Sequence, residues 1–431
     1  MTTVPLNLLD ELYLNLDRET EPWTVHYELH VGRHLDIDRL TSAIGAAARR
    51  HPLARARLAP WRFQDRSYDW EIADQLPEVP LTVIACGDVA ALERGREEFF
   101  STSPSLTTAP PFAIALARCH EGDALLLNLH HAAGDGISAE RLILSILRAY
   151  TGDQDPVPPL DPLALHGVVG SLAVARTAKE RLARRRALME GAWRPVLRAA
   201  RIAREGEDDW PAYGFELLAL STNESLNVFA RHPASTTLND VLLGALALTI
   251  VRWNADHGRP TGPIALSMPV NLRPAEWRHE VFSNFASWAT VWVYAEEGEE
   301  LSSVVARVGA RTRIIKRDRL GGLAVDLARI PGRLMIAAKR WLQYSKAFTN
   351  DVVVDTASLS NLGRLGPLPA PFNGDDAAVW FSPPSQMPLG VGIGVITFGD
   401  RLYVTMRYRH VQFDRVAARR FIALYREVLL S

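Results

Sequence analysis

The chain has 431 residues, a formal net charge of −1, 48% hydrophobic residues and two cysteines, Cys86 and Cys119. That length exceeds one ordinary core and points to two lobes of roughly 200 residues each. The balanced charge gives no global field for nucleic acid or an anionic membrane, two cysteines make neither a disulfide framework nor a four-ligand zinc site, and no run of about 18 apolar residues is present to span a bilayer. The opening, MTTVPLNLLDELYL, lacks a basic region and already carries acids, so it does not read as a signal peptide; a reducing cytosol is the expected setting.

In chain order, apolar spacing predicts a helix over Leu6–Leu16 and a strand over Trp23–Val31. A helix over Asp36–Arg50 opens on acids and ends at His51-Pro52. Strands are expected at Pro80–Ala85, Phe112–Cys119 and Ala124–Leu129, with helices at Asp88–Phe100 and Ser138–Tyr150. The stretch TGDQDPVPPLDP then breaks the pattern. Ser171–Glu205 reads as one connecting helix, followed by the loop EGEDDWPAYG. Further strands are expected at Phe215–Leu220, Pro263–Val270, Trp288–Tyr294, Val352–Ser360, Val391–Thr397 and Leu402–Tyr408. Helices are expected at Leu238–Asp256, Leu301–Arg317 and Arg415–Leu429. Strands and helices alternate without a strict βαβ rhythm, which points to an α/β fold of two lobes with mixed sheets: residues 1–170, a connector at 171–214, and residues 215–431.

The connector carries Arg176, Lys179, Arg181, Arg184, Arg185, Arg186, Arg194, Arg198, Arg201 and Arg204 against three acids. Such a strip is either a solvated helix face or a docking surface for an anionic partner, and Arg307–Lys346 has the same two readings.

The run LNLHHAAGDGIS (Leu127–Ser138) concentrates the chemistry. Neighbouring side chains on a strand point to opposite faces, so one of His130 and His131 is free to react and the other to act as a packed prop. Gly134 and Gly136 permit a tight turn, Asp135 can fold back under the strand end, and Ser138 is a candidate helix cap. A histidine suits general-base work near neutral pH. A metal site needs three or four convergent ligands, and His131 with Asp135 supplies two at most. A serine hydrolase needs the elbow G-x-S-x-G, which does not occur. His130 to Asp135 also has the H-x-x-x-x-D spacing of glycerolipid acyltransferases, but the Glu-Gly-Thr-Arg-like phosphate block of those enzymes is missing. Gly390, Gly392 and Gly394 lead into VITFGDRLYV, a strand and turn rather than a helix, so they are no dinucleotide loop. They mark either a channel wall or close packing.

HHAAGDGIS resembles the His-His-x-x-x-Asp-Gly signature of the condensation-domain acyltransferase superfamily, which includes wax ester synthase/diacylglycerol acyltransferases and has the two-lobed fold of chloramphenicol acetyltransferase. PLNLLDELYLNLD, RHPLARARL, TTLNDVLLGAL, MPVNLRP, SLSNLGRLG and GVGIGVITFGDRLYVTMRY resemble the family's other segments in order. Where wax ester synthases usually show Asn-Val-Pro-Gly-Pro, this chain has SNLGRLGPLP, and LRAYTGDQDPVPPL resembles carrier-linked acyltransferases. The subgroup stays open.

The resemblance implies an active-site tunnel between the lobes, with His131 as catalytic base. His130, Gly136 and an Asp135–Arg273 pair would support the site. Ser360, Asn361 and Gly392 are candidates for the oxyanion site or the tunnel wall. It implies acyl transfer from acyl-CoA or an acyl carrier protein to a hydroxyl acceptor, with the CoA or phosphopantetheine thioester as co-substrate and no permanently bound cofactor or metal. A free-standing condensation enzyme making an amide between carrier-bound substrates is the alternative. A degenerate domain that only recruits partners is a third reading, against which His131, Asp135 and Gly136 stand intact.

Overall fold

The computed structural model describes residues 1–156, 160–192, 199–206, 213–231, 233–277, 281–329, 332, 334–343, 355–370, 372–374, 376–387 and 389–431. Two mixed sheets organise it. The first has five strands in the order Ala378–Ser382, Thr24–Val31, Gly122–His130, Phe112–Cys119 and Leu81–Ala85; the last pair is parallel and the others antiparallel. The second has six, in the order Ala286–Val293, Ile264–Asn271, Ala357–Arg364, Val391–Phe398, Arg401–Arg409 and Tyr213–Ala219. There Ala357–Arg364 runs parallel to both its neighbours. A small sheet of Thr2–Pro5, Asp69–Ile72 and Ala56–Leu58 accompanies them.

Helices cover the sheets because their starts are capped and their inner faces are apolar. Asn7 and Asp10 form a capping box for helix Leu8–Leu16, and Asp36 caps Ile37–Arg50. Asp135 caps Gly136–Thr151, which ends on Gly152 at φ +83°. The helix Leu238–Asp256 buries residues all round and packs between Leu301–Arg317 and Arg415–Leu430, forming the core of the second lobe. No helix among the described residues is long and apolar enough to cross a membrane.

Several expectations need correction. The basic segment is not one helix over Ser171–Glu205. Helix Val169–Leu172 ends first, and Ala178–Ala192 starts anew where Thr177 Oγ1 accepts from Glu180 N and Glu180 Oε2 accepts from Thr177 N. Residues 199–204 are non-helical, and Arg194 and Arg198 lie outside the described residues. Arg184 is buried, donating to Asp326 and to the carbonyls of Ala173 and Arg319, so it belongs to the interior rather than to a docking strip. The strand expected at Val352–Ser360 spans Ala357–Arg364, and residues 352–354 lie outside the described set. Helix Thr222–Ala230 and strand Ala378–Ser382 were not expected. That strand lies within the 215–431 range yet pairs with Thr24–Val31 and completes the first sheet.

The crossing strand also decides the glycine question. A Cβ on Gly394 would lie 1.9 Å from the Phe381 carbonyl oxygen, and one on Gly392 would lie 2.9 Å from Ser385 Cβ. Gly392 is therefore a close-packing position, not a channel wall: the polypeptide from Phe381 to Ser385 occupies its face. Gly394→Ala should lower stability by about 1–3 kcal/mol, the usual cost of forcing an extra methyl into a packed interior; an unchanged urea midpoint would contradict this packing.

Buried histidines, His51 and His166 among them, add a pH dependence. Burial holds His51, whose Nε2 lies 2.8 Å from Ser145 Oγ, at about 3, and holds His166 at about 4. In the unfolded chain each takes a proton near pH 6.5. As pH falls below about 6.5 the unfolded state binds protons first, so stability declines down to about pH 3–4. The urea midpoint should drop over that window, and His51→Asn should flatten the slope.

Candidate functional site

The site lies where the histidine strand (Gly122–His130) ends against the ends of two strands of the second lobe. His131 follows the strand directly, and the turn Ala132–Asp135 leads into helix Gly136–Thr151. From the other lobe, Arg273 follows strand Ile264–Asn271, and Ser283–Phe285 lead into strand Ala286–Val293.

His130 is a prop in its bonding. Its Nδ1 accepts from Ala132 N at 3.1 Å, and its Nε2 lies 3.5 Å from Asp17 Oδ2. His131 is held by its backbone instead: its N–H donates to the Trp23 carbonyl at 2.9 Å, and its own carbonyl accepts from Asn284 Nδ2 at 2.7 Å. Its ring stacks on Tyr13, with centroids 4.1 Å apart and planes at 21°, and Tyr13 OH donates to the Ala286 carbonyl at 2.7 Å. The residue is only 7% exposed. Burial pushes the imidazole down to about 4, opposed by the carbonyls of His131 and Gly134 and by the Asp135 charge. Nδ1 is buried and has no hydrogen-bond partner among the described residues.

Asp135 spends both its oxygens on neighbouring donors. Its Oδ1 accepts from Ser138 N at 2.9 Å and from Arg273 Nη2 at 3.1 Å, and its Oδ2 accepts from Phe285 N at 2.9 Å. Burial alone would raise its pKa, but the Arg273 charge and the Phe285 and Ser138 N–H groups override it, and the carboxyl sits below its ordinary range. Arg273 also donates to the Ser283 carbonyl at 2.9 Å and lies 4.7 Å from the Phe285 ring centroid. A Cβ at Gly136 would crowd the ends of the Leu362 and Phe381 side chains, at 2.8 and 2.9 Å.

The other candidates lie apart in their bonding. Ser360 is buried opposite Gly394 in the second sheet, and Asn361 spends its Oδ1 on Gly363 N at 2.9 Å. The hydrogen bonds at His131 and Asp135 come from Trp23, Ser138, Arg273, Asn284 and Phe285. Tyr13, Asn284 and Phe285 were not singled out from sequence. A small cavity between the lobes is lined by His26, Glu28, Arg96, Phe215, Trp380 and Thr405 among others, and His131 is not on its wall.

A family model of the condensation domain matches residues 12–324. The chain is 37% identical over 441 residues to the uncharacterized protein Rv2305 of Mycobacterium tuberculosis H37Rv, covering all of this chain and 99% of that protein. It is similar to the first condensation domain of the calcium-dependent antibiotic synthetase, with TM-score 0.73 and 15% identity, covering 100% of this chain and 98% of that one. It is also similar to the trichothecene 15-O-acetyltransferase TRI3 of Fusarium sporotrichioides, with TM-score 0.70 and 11% identity, covering 99% and 95%. At such identities the two structures show a shared fold.

Replacing one member of the buried pair strands the other. Asp135→Asn should cost about 3–5 kcal/mol of stability, because it leaves the Arg273 guanidinium buried and uncompensated. Urea denaturation measures it, and a loss below about 1 kcal/mol would show that water reaches the pair.

Proposed function

This chain belongs to the condensation-domain family, and from that premise we propose that it is an acyltransferase moving an acyl group from a thioester to a hydroxyl acceptor, with His131 as general base. The observation that carries the reading is the state of His131: a buried, neutral imidazole on a doubly held backbone, beside a carboxylate already committed to an arginine.

The chemistry follows from the ring. Nδ1 is buried, so Nε2 is the nitrogen a substrate can meet, and the mechanism requires the neutral ring to carry its proton on Nδ1 and keep the lone pair on Nε2. Nε2 takes the acceptor's proton as its oxygen attacks the thioester carbonyl carbon. The tetrahedral adduct collapses with cleavage of the C–S bond, and the imidazolium returns the proton to the leaving thiolate. Asp135 keeps its charge throughout, because Arg273 and the Phe285 N–H hold it as a carboxylate. Coenzyme A or a carrier's phosphopantetheine arm is the thiol released, and the cytoplasm supplies both. The two solved relatives span both product types by name, an O-acetyltransferase and a condensation domain, so an amide between carrier-bound groups is the second reading.

A panel of acyl-CoAs and acyl carriers offered alcohols and amines, read by mass spectrometry, tests both. His131→Ala should lower turnover by about 10²- to 10⁴-fold, the usual contribution of a positioned base. The base stays unprotonated above about pH 4, so kcat/KM should be flat through neutral pH and fall only as pH drops toward 4. Full activity in His131→Ala would overturn the mechanism.

A further inference from the structure

Within the basic stretch Arg307–Lys346, helix Ile336–Gln343 packs on a loop of the first lobe. Ile336 N donates to the Asp65 carbonyl at 2.8 Å, and Ala337 N donates to the Phe63 carbonyl at 3.3 Å. Ile336 and Lys339, one turn apart, face inward. Ile336 is fully buried. Lys339, also buried, donates to the Arg66 carbonyl at 2.6 Å and pairs with Glu11 of helix Leu8–Leu16. That helix also carries Tyr13, the ring stacked on His131.

The outward face is the unusual one. A helix that buries positions 336 and 339 turns 337, 340 and 341 to solvent, positions that globular proteins usually fill with polar groups. Here Trp341 is 72% exposed, and Leu334 and Met335, just before the helix, are exposed as well. Phe63, whose carbonyl Ala337 holds, is 69% exposed. Single exposed apolar side chains are ordinary, but these four lie on two segments that are bonded to each other, and contiguous apolar patches mark interaction sites.

Cations flank the patch. Arg340 Cζ lies 5.1 Å from the Trp61 ring centroid, and Arg62 and Arg66 are exposed on either side of Phe63 and Asp65. Asp65, the acid between them, accepts from the backbone N of Arg62. None of the three guanidinium groups forms an ion pair with a carboxylate among the described residues.

We propose that the face formed by Phe63, Leu334, Met335 and Trp341, with Arg62, Arg66 and Arg340, docks on an anionic phospholipid bilayer. Indole and phenyl rings settle at the level of the headgroups, and arginines beside them pair with lipid phosphates. The near-neutral chain supplies no long-range field, but an anionic bilayer carries its own, and a few cations close to its surface are enough to feel it. An acidic protein would answer the arginines, yet it would need a recess for side chains that project this far, whereas a bilayer needs none. Through helix Leu8–Leu16 the docked face lies one helix away from His131.

The test is co-sedimentation of the full chain with vesicles of phosphatidylcholine and with vesicles of equal parts phosphatidylcholine and phosphatidylglycerol. The chain should bind the mixed vesicles more tightly, and added salt should weaken that binding. Trp341→Ala and Phe63→Ala should each weaken it about tenfold, as expected when a large apolar side chain no longer enters an apolar phase. Arg62→Gln, Arg66→Gln and Arg340→Gln should each weaken it about fivefold, on the mixed vesicles alone. These side chains are at the surface, so the urea midpoints should match the wild type. Equal binding to the two kinds of vesicle, binding to neither, or unchanged binding in folded Trp341→Ala and Phe63→Ala overturns the proposal. So does a lipid-free dimer that Trp341→Ala dissolves, which would assign the face to a second copy of the chain. The wild-type comparison decides the matter even if a variant fails to fold. No substrate is involved, so the outcome stands apart from that of the turnover panel.

Discussion

The ion pair between Arg273 and Asp135 joins the two lobes at the point where His131 sits. Taking both charges out of water costs several kcal/mol each, and only complete hydrogen bonding offsets it. The chain provides that bonding from widely separated places: Ser138 from the capped helix, and Phe285 and the Ser283 carbonyl from the opposite lobe. The pair therefore demands one relative placement of the lobes. Asp135 also caps the helix that begins beside His131, so an error in that placement would reach the turn that carries the ring.

A second constraint acts on His131 itself. The burial that keeps the imidazole neutral also closes it off, leaving 7% exposure. Tyr13 lies stacked over one face of the ring.

Much of this was legible in the sequence. Strand and helix periods located the histidine strand and its helix, and the turn glycines marked the site between them, but the cap is Asp135 and the expected cap Ser138 lies inside the helix. The Asp135–Arg273 partnership was reachable only through family resemblance, because periodicity says nothing about contacts 138 residues apart. Asn284 escaped for the same reason: its bond to His131 spans 153 residues, and FSNFAS has no spacing that marks a donor. Helix Thr222–Ala230 is a different kind of miss. Its Ser221–Glu224 capping box stood in plain view, but only two turns of weak amphipathic pattern followed it. The basic segment misled because arginines favour a helix without saying where one begins, and Thr177 with Glu180 restarts it.

The strand Ala378–Ser382 bears on how the protein comes into being. During synthesis, everything needed for the first sheet except this strand emerges within the first 130 residues, and the missing edge follows some 250 residues later. Until then the Thr24–Val31 edge stands with its backbone groups unpaired, the kind of edge that invites pairing with another chain. The nascent first lobe is therefore an unfinished object that must wait for the second. Expressing the N-terminal half alone would release that waiting state permanently, as an open sheet prone to self-association.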